Sequence, residues 1–239
     1  MVILIISVSI IVSLTPSIIL YKWIQKKIKD EKSKEICKKA FVRGVIAVFL
    51  IILTSGILAI IGRIMGLQEI NPLTYRVYYT FIVLAFAEEL VKFLTFKRVL
   101  KNNQYDYSWF SLTIIMIMVG LGFGCIENIT YSLTSGIVAM LIKGISLGHA
   151  GYGFIMGWFY GKMKKAKKKI YGVLAFLIPW ILHGLYDFGL SSELLEINDG
   201  FAIISVSLTI ISLICIVLTI RFVKRRCNDK EYTSALIVE

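Results

Sequence analysis

Residues Phe81–Phe96 read FIVLAFAEELVKFLTF. Apart from Glu88, Glu89, Lys92 and Thr95, every side chain in this stretch is apolar. The largely apolar run continues upstream to Leu73, with Arg76 near that end, so it is long enough to cross a hydrocarbon layer of about 30 Å as a helix rising 1.5 Å per residue. Ionisable groups inside a bilayer cost roughly 2.5–3.5 kcal/mol each on insertion scales. A chain that keeps three of them in one span has a use for them, and the rest of the sequence tells the same story. Glu127, His149, His183 and Asp187 also fall inside long apolar stretches.

Hydrophobic residues form 57% of the 239-residue chain and the mean hydropathy is +0.79, against about 45–50% apolar in a soluble domain. Seven stretches are long and apolar enough to span: Val2–Tyr21, Phe41–Met65, Leu73–Phe96, Trp109–Leu133, Ser135–Tyr160, Ile170–Leu190 and Gly200–Phe222. Helices are the expected spanning structure, since the stretches are too long and too uniformly apolar for barrel strands. The fold class is therefore an all-α polytopic membrane helix bundle of about seven transmembrane helices. It forms one integral-membrane domain over 1–239, with the ionisable residues gathered in a core at 73–190. The longest polar stretch, about Tyr21–Arg43, is too short for a separate soluble core.

The net charge of +12 follows topology. Nine Lys/Arg lie in Lys22–Arg43, three in Lys97–Lys101, six in Lys162–Lys169 and five in Arg221–Lys230, which is 23 of the 27. Basic clusters mark the cytoplasmic side, so the N-terminus is expected outside and the C-terminus in the cytoplasm. The clusters also suit anionic lipid. They lack interleaved stacking aromatics, so no nucleic-acid partner is expected. The four cysteines are not placed for an extracellular bridge and are expected as free thiols. The apolar N-terminus reads as an uncleaved first span.

Glu88 and Lys92 are four apart, with the acid on the N-terminal side, as a favourable helical pair requires. Glu89 points about 100° away, so one carboxylate can be neutralised by Lys92 while the other faces a cavity. Glu127, in apolar surroundings, suits a general acid or base. His183 and Asp187 are four apart, so Asp187 can orient the imidazole or share a metal with it. Two histidines and a glutamate are the ligand set of many catalytic zinc sites, which makes Glu127, His149 and His183 metal candidates, although His-Glu-x-x-His is absent. Gly120, Gly122 and Gly124 precede Glu127 and are expected either to pack closely or to loosen the helix. Gly153, Gly157 and Gly161 read as packing.

These residues, in order, resemble the motifs of the PrsW family: Glu88-Glu89-x-x-Lys92, Phe123-x-x-x-Glu127-Asn128, His149 with Gly157-Trp158-Phe159-Tyr160-Gly161, and His183-Gly184-x-x-Asp187. The resemblance covers about Phe86–Phe188. It implies a bacterial plasma-membrane protease that makes the first cut in an anti-sigma factor, a single-span substrate. The family is distantly similar to CAAX prenyl proteases, but Glu127 stands where those carry a first histidine, so their mechanism does not transfer unchanged. Cofactors implied by the resemblance are either none or zinc.

The expected catalytic residues are Glu88, Glu89, Glu127, His149 and His183, supported by Lys92, Asn128 and Asp187. Glu88 or Glu89 would activate water, with Glu127 and His149 as second base or metal ligands. His183, held by Asp187, would stabilise an oxyanion or protonate the leaving amine, and Asn128 would add a donor. The cavity is expected to open toward the outer leaflet. The other readings are a proton- or ion-coupled transporter, which would show paired half-repeats that are not evident here, and a non-catalytic adaptor binding a client helix.

Overall fold

The fold is that of a computed structural model describing residues 2–103, 106–134, 147–189, 200–228 and 237–238. Among the described residues the chain is almost wholly helical. The helices are α1 (Val2–Lys27), α2 (Glu31–Ile64), the short turn α3 (Leu67–Ile70), α4 (Pro72–Tyr78), α5 (Ala87–Asn103), α6 (Trp109–Thr134), α7 (Gly148–Ala166), α8 (Ile170–Gly189) and α9 (Gly200–Asn228). A π-helical segment, Tyr79–Phe86, joins α4 to α5 without a break in the helical path. Asp106–Tyr107 and Ile237–Val238 pair as a minimal antiparallel ribbon.

Among the described residues, four helices are long and apolar enough to cross a membrane: Ile6–Lys27, Glu31–Ile64, Trp109–Thr134 and Ile170–Gly189. All-α membrane architecture therefore holds. The expected polar stretch Tyr21–Arg43 is itself mostly helical, turning only between Lys27 and Glu31. Asp30 makes the turn possible by accepting from the Ser33 amide at 2.8 Å, which caps α2. The expected span Leu73–Phe96 is one helical path with a π segment in its middle. Asn71 caps its start and Pro72 occupies the first turn, where a missing N–H costs nothing. Much of the expected span Ser135–Tyr160, residues 135–146, and the last residue of the expected span Ile170–Leu190 lie outside the described residues. The described helix there begins at Gly148, behind a left-handed Leu147 (φ 48°). His149 thus stands in the first turn of α7 rather than mid-helix.

α6 is the central helix: 89% of its apolar window is buried, against 17–28% in the other three spanning helices. Lipid tails are as apolar as leucine, so burial of apolar area does little to drive helix association in a bilayer, and close packing must. The glycines supply it. A Cβ on Gly122 would strike the Phe41 carbonyl of α2, and one on Gly44 the Val119 carbonyl of α6. Gly153 and Gly157 set α7 against Met116 and Thr113. The α6 glycines leave the helix unbroken from Trp109 to Thr134. They are close-approach points rather than a loosened turn. The face of α2 bearing Ile46, Phe49, Leu50, Leu53, Ile57 and Ile60 is exposed, as a lipid-facing surface requires.

The π segment has a specific partner. The Trp180 indole of α8 donates to the Phe81 carbonyl at 2.6 Å. Phe86 packs edge-on against Phe176 and Trp180, with ring centres 5.5 and 5.3 Å apart. Gly184 lets α8 approach closely enough for the Phe81 ring to lie against it. This seam fixes where the first turn of α5, and with it Glu88 and Glu89, faces the bundle.

Candidate functional site

Four helices, α5, α6, α7 and α8, bring the site together. The first turn of α5 supplies Glu88 and Glu89, and Lys92 follows one turn on. All three are buried, Glu89 and Lys92 completely. Buried charges persist only when paired, and each has partners. Lys92 Nζ lies 2.7 Å from Glu89 Oε1 and 3.4 Å from Glu88 Oε2. The i,i+4 spacing points to Glu88 as the partner of Lys92; the closer contact is the i,i+3 one to Glu89. The ammonium also sits 4.3 Å from the centre of the Phe123 ring, a cation–π contact.

The histidines arrive from α7 and α8. His183 Nδ1 is 2.9 Å from Glu89 Oε1, and its Nε2 is 3.3 Å from Asp187 Oδ2 and 3.7 Å from Glu88 Oε2. Asp187, one turn on from His183, thus stands at one ring nitrogen and Glu89 at the other. Tyr152 stacks on His183, with ring centres 5.0 Å apart. His149 Nδ1 lies 2.9 Å from Lys92 Nζ, and its Nε2 contacts the Glu127 carboxylate of α6. Gly120 and Gly124 make room for it: a Cβ on Gly120 would meet the His149 carbonyl, and one on Gly124 would lie 3.2 Å from the His149 ring. The two histidine rings are 5.5 Å apart.

Glu88, Glu89, Glu127, His149, His183, Lys92 and Asp187 therefore share one connected cluster. Asn128 lies beside it and lines the same cavity, but its amide donates to the Ser13 carbonyl at 3.1 Å, pinning α1 to α6. Sequence reasoning missed three tyrosines, Tyr131, Tyr152 and Tyr186, which line the cavity with Glu127, Asn128, Gly148, His149, His183 and Asp187. The signal was present: each tyrosine follows Glu127, His149 or His183 by three or four residues, the helical same-face spacing. The cavity has about 20 Å³ of room, enough for one water. Beside it, Glu88 Oε2 is buried and accepts no hydrogen bond. It is an acceptor with capacity left, 3.7 Å from His183 Nε2, whose ring lines the cavity.

Glu88, His149 and His183 each offer a ligand atom within 4.8 Å of the others. By donor type the set suits zinc. By hydrogen bonding it does not fit as arranged. Both His149 nitrogens are engaged, by Lys92 and Glu127, and an ammonium already stands 3.4 Å from Glu88.

A sequence model described as PrsW family intramembrane metalloprotease matches residues 32–219. Protease PrsW of Oceanobacillus iheyensis is 35% identical over 112 residues, 45% of this chain and 52% of that protein. Protease PrsW of Geobacillus kaustophilus is 31% identical over 168 residues, covering 67% and 70%. Protease PrsW of Shouchella clausii is 30% identical over 189 residues, covering 77% and 83%. The chain thus spans about half the length of the first relative and more of the other two. No solved structure matches.

Proposed function

Because the chain belongs to the PrsW family of intramembrane proteases, we propose that it is a bacterial plasma-membrane endopeptidase that cleaves a single-span protein, an anti-sigma factor, by glutamate- and histidine-activated water. The observation that carries this is the convergence of four helices at one point: Glu127, His149 and His183 line a cavity with room for one water, and Glu88 lies beside it, 3.7 Å from His183 Nε2.

Each residue has a role that its contacts suit. Glu88 Oε2, buried, 3.4 Å from the Lys92 ammonium and accepting no hydrogen bond, takes the proton of the attacking water. Glu127, in contact with His149 Nε2 and lining the cavity, holds the water. The water oxygen adds to the scissile carbonyl, and the C–N bond breaks as the amine takes up a proton. His183 faces a carboxylate at each nitrogen, Glu89 and Asp187. Held this way, a protonated ring directs Nε2–H to the developing oxyanion and then to the leaving amine. Glu89 and Lys92 form the buried support for both rings.

The topology that goes with this reading has seven spans, an outside N-terminus and a cytoplasmic C-terminus, with the cavity opening toward the outer leaflet. The segregated basic clusters support it. The test is incubation of the purified chain in proteoliposomes with single-span anti-sigma factors, read by mass spectrometry of the fragments. A defined cut lost in Glu88→Gln, with the protein still folded, is the expected result. Cleavage undiminished in that variant would remove Glu88 from the chemistry.

A further inference from the structure

Lys92 reaches across the bundle from α5 to α7. Its Nζ lies 2.9 Å from His149 Nδ1, a residue 57 positions away, while also holding Glu89 Oε1 at 2.7 Å. The side chain is completely buried, and the Phe123 ring beneath Nζ also meets the His149 ring edge-on, with ring centres 4.9 Å apart. An ammonium carries three donors and no acceptor, so the imidazole nitrogen it meets must be the one without a proton. A neutral imidazole has one such nitrogen. Its proton then sits on the other, Nε2, which faces the Glu127 carboxylate.

We infer that Lys92 is a positioning residue: it holds His149 as the Nε2–H tautomer and, through that N–H, aims the Glu127 carboxylate into the cavity. The inference deepens the protease reading and rests on it only for the catalytic consequence. The chain of contacts is continuous, from Glu89 to Lys92, from Lys92 to His149 Nδ1, and from His149 Nε2–H to Glu127. The two histidines are thereby given different tasks. His183 has carboxylates at both nitrogens, whereas His149 accepts at one and donates at the other. The same logic restricts cation binding. Ligation through His149 Nε2 requires the ring proton on Nδ1, which Lys92 does not permit while it stays in place.

The chain has two histidines, so the full chain labelled with ¹⁵N-histidine in lipid nanodiscs shows two ring systems, and a His183→Asn sample isolates the His149 ring. Expected is the Nε2–H tautomer at His149 in the wild type, its conversion to Nδ1–H or a mixture in Lys92→Met, and its return in Lys92→Arg, which keeps the donors. Cleavage in Lys92→Met should fall about 10- to 100-fold, as for loss of other groups that orient a catalytic side chain. A wild-type His149 carrying Nδ1–H, or an Nε2–H tautomer that Lys92→Met leaves unmoved, overturns the inference. Should Lys92→Met fail to fold, the wild-type spectrum decides alone. A chain that cleaves its substrate but shows Nδ1–H sinks the Lys92 assignment and leaves the protease reading standing. One that shows Nε2–H and cleaves nothing does the reverse.

Discussion

Glu89 Oε1 and His183 Nδ1, 94 positions apart in sequence, meet at 2.9 Å in a fully buried contact between α5 and α8. The same oxygen takes the Lys92 ammonium at 2.7 Å. One carboxylate atom therefore ties the two helices together and, through Lys92, reaches α7. Breaking a buried ion pair by removing one partner costs about 3–5 kcal/mol, because it leaves the other charge uncompensated. On the proposed mechanism Glu89 is the keystone of the cluster, and Glu88 its reacting group.

The two adjacent glutamates should then respond differently to the same change. Glu89→Gln is expected to lose cleavage and to unfold at markedly lower temperature in detergent, since Lys92 and His183 both lose a charged acceptor. Glu88→Gln is expected to lose cleavage while its thermal midpoint stays near the wild type, because Glu88 Oε2 makes no hydrogen bond and its distance to Lys92 is 3.4 Å. Equal thermal loss in both variants would refute the division of labour.

Much of this was legible in the sequence because the membrane makes polarity conspicuous. Glu88, Glu127, His149 and His183 stand out against apolar runs, whereas Tyr131, Tyr152 and Tyr186 blend into the aromatic content of the spans. Three features were not legible. The apolar run Tyr79–Phe86 carries no pattern that distinguishes i→i+5 from i→i+4 bonding, so the π segment was hidden. Both Glu88 and Glu89 lie within helical reach of Lys92, so spacing could not say that Glu89 makes the shorter contact. Asn128 sits beside Glu127 in the motif, yet its donor is engaged by Ser13 on a distant helix, a tertiary fact that no local pattern carries.

The glycines of α6 supply a second prediction. A methyl group at Gly120 would press on the His149 carbonyl, and one at Gly124 would lie 3.2 Å from the ring. Gly120→Ala should displace His149 and cut activity at least about tenfold, the cost of misplacing a group by a fraction of an ångström in a packed interior. Gly56→Ala, with open space around the added methyl, should leave activity unchanged and raise helix propensity slightly. Cleavage rates of the two variants, measured beside far-ultraviolet circular dichroism, check both.

Trp180 should matter beyond its bulk. Its indole N–H meets the Phe81 carbonyl within the π segment that leads into Glu88. Trp180→Phe keeps most of the ring packing against Phe86 and Phe176 but leaves that carbonyl without its side-chain donor. A loss of about 0.5–1.5 kcal/mol is expected from the hydrogen bond, with a larger proportional loss of activity because the α5 register shifts. Thermal unfolding and cleavage on the same samples would show whether the two effects separate.

Zinc affinity gives the sharpest contrast between the arrangement as it stands and a metal-holding one. Glu88, His149 and His183 come within 4.8 Å of one another, but Lys92 places a positive charge 3.4 Å from Glu88 and occupies His149 Nδ1. Removing the ammonium frees the ring to carry its proton on Nδ1 and relieves a like-charge repulsion worth several kcal/mol at these distances for an effective dielectric of about 20. Lys92→Met is therefore expected to bind zinc at least about tenfold more tightly than the wild-type chain, measured by competition with a chromogenic chelator. His183→Asn in the same background should abolish the gain. Wild-type affinity equal to or above that of Lys92→Met would mean that Lys92 leaves His149 whenever a metal arrives, and that the cluster is built to hold one.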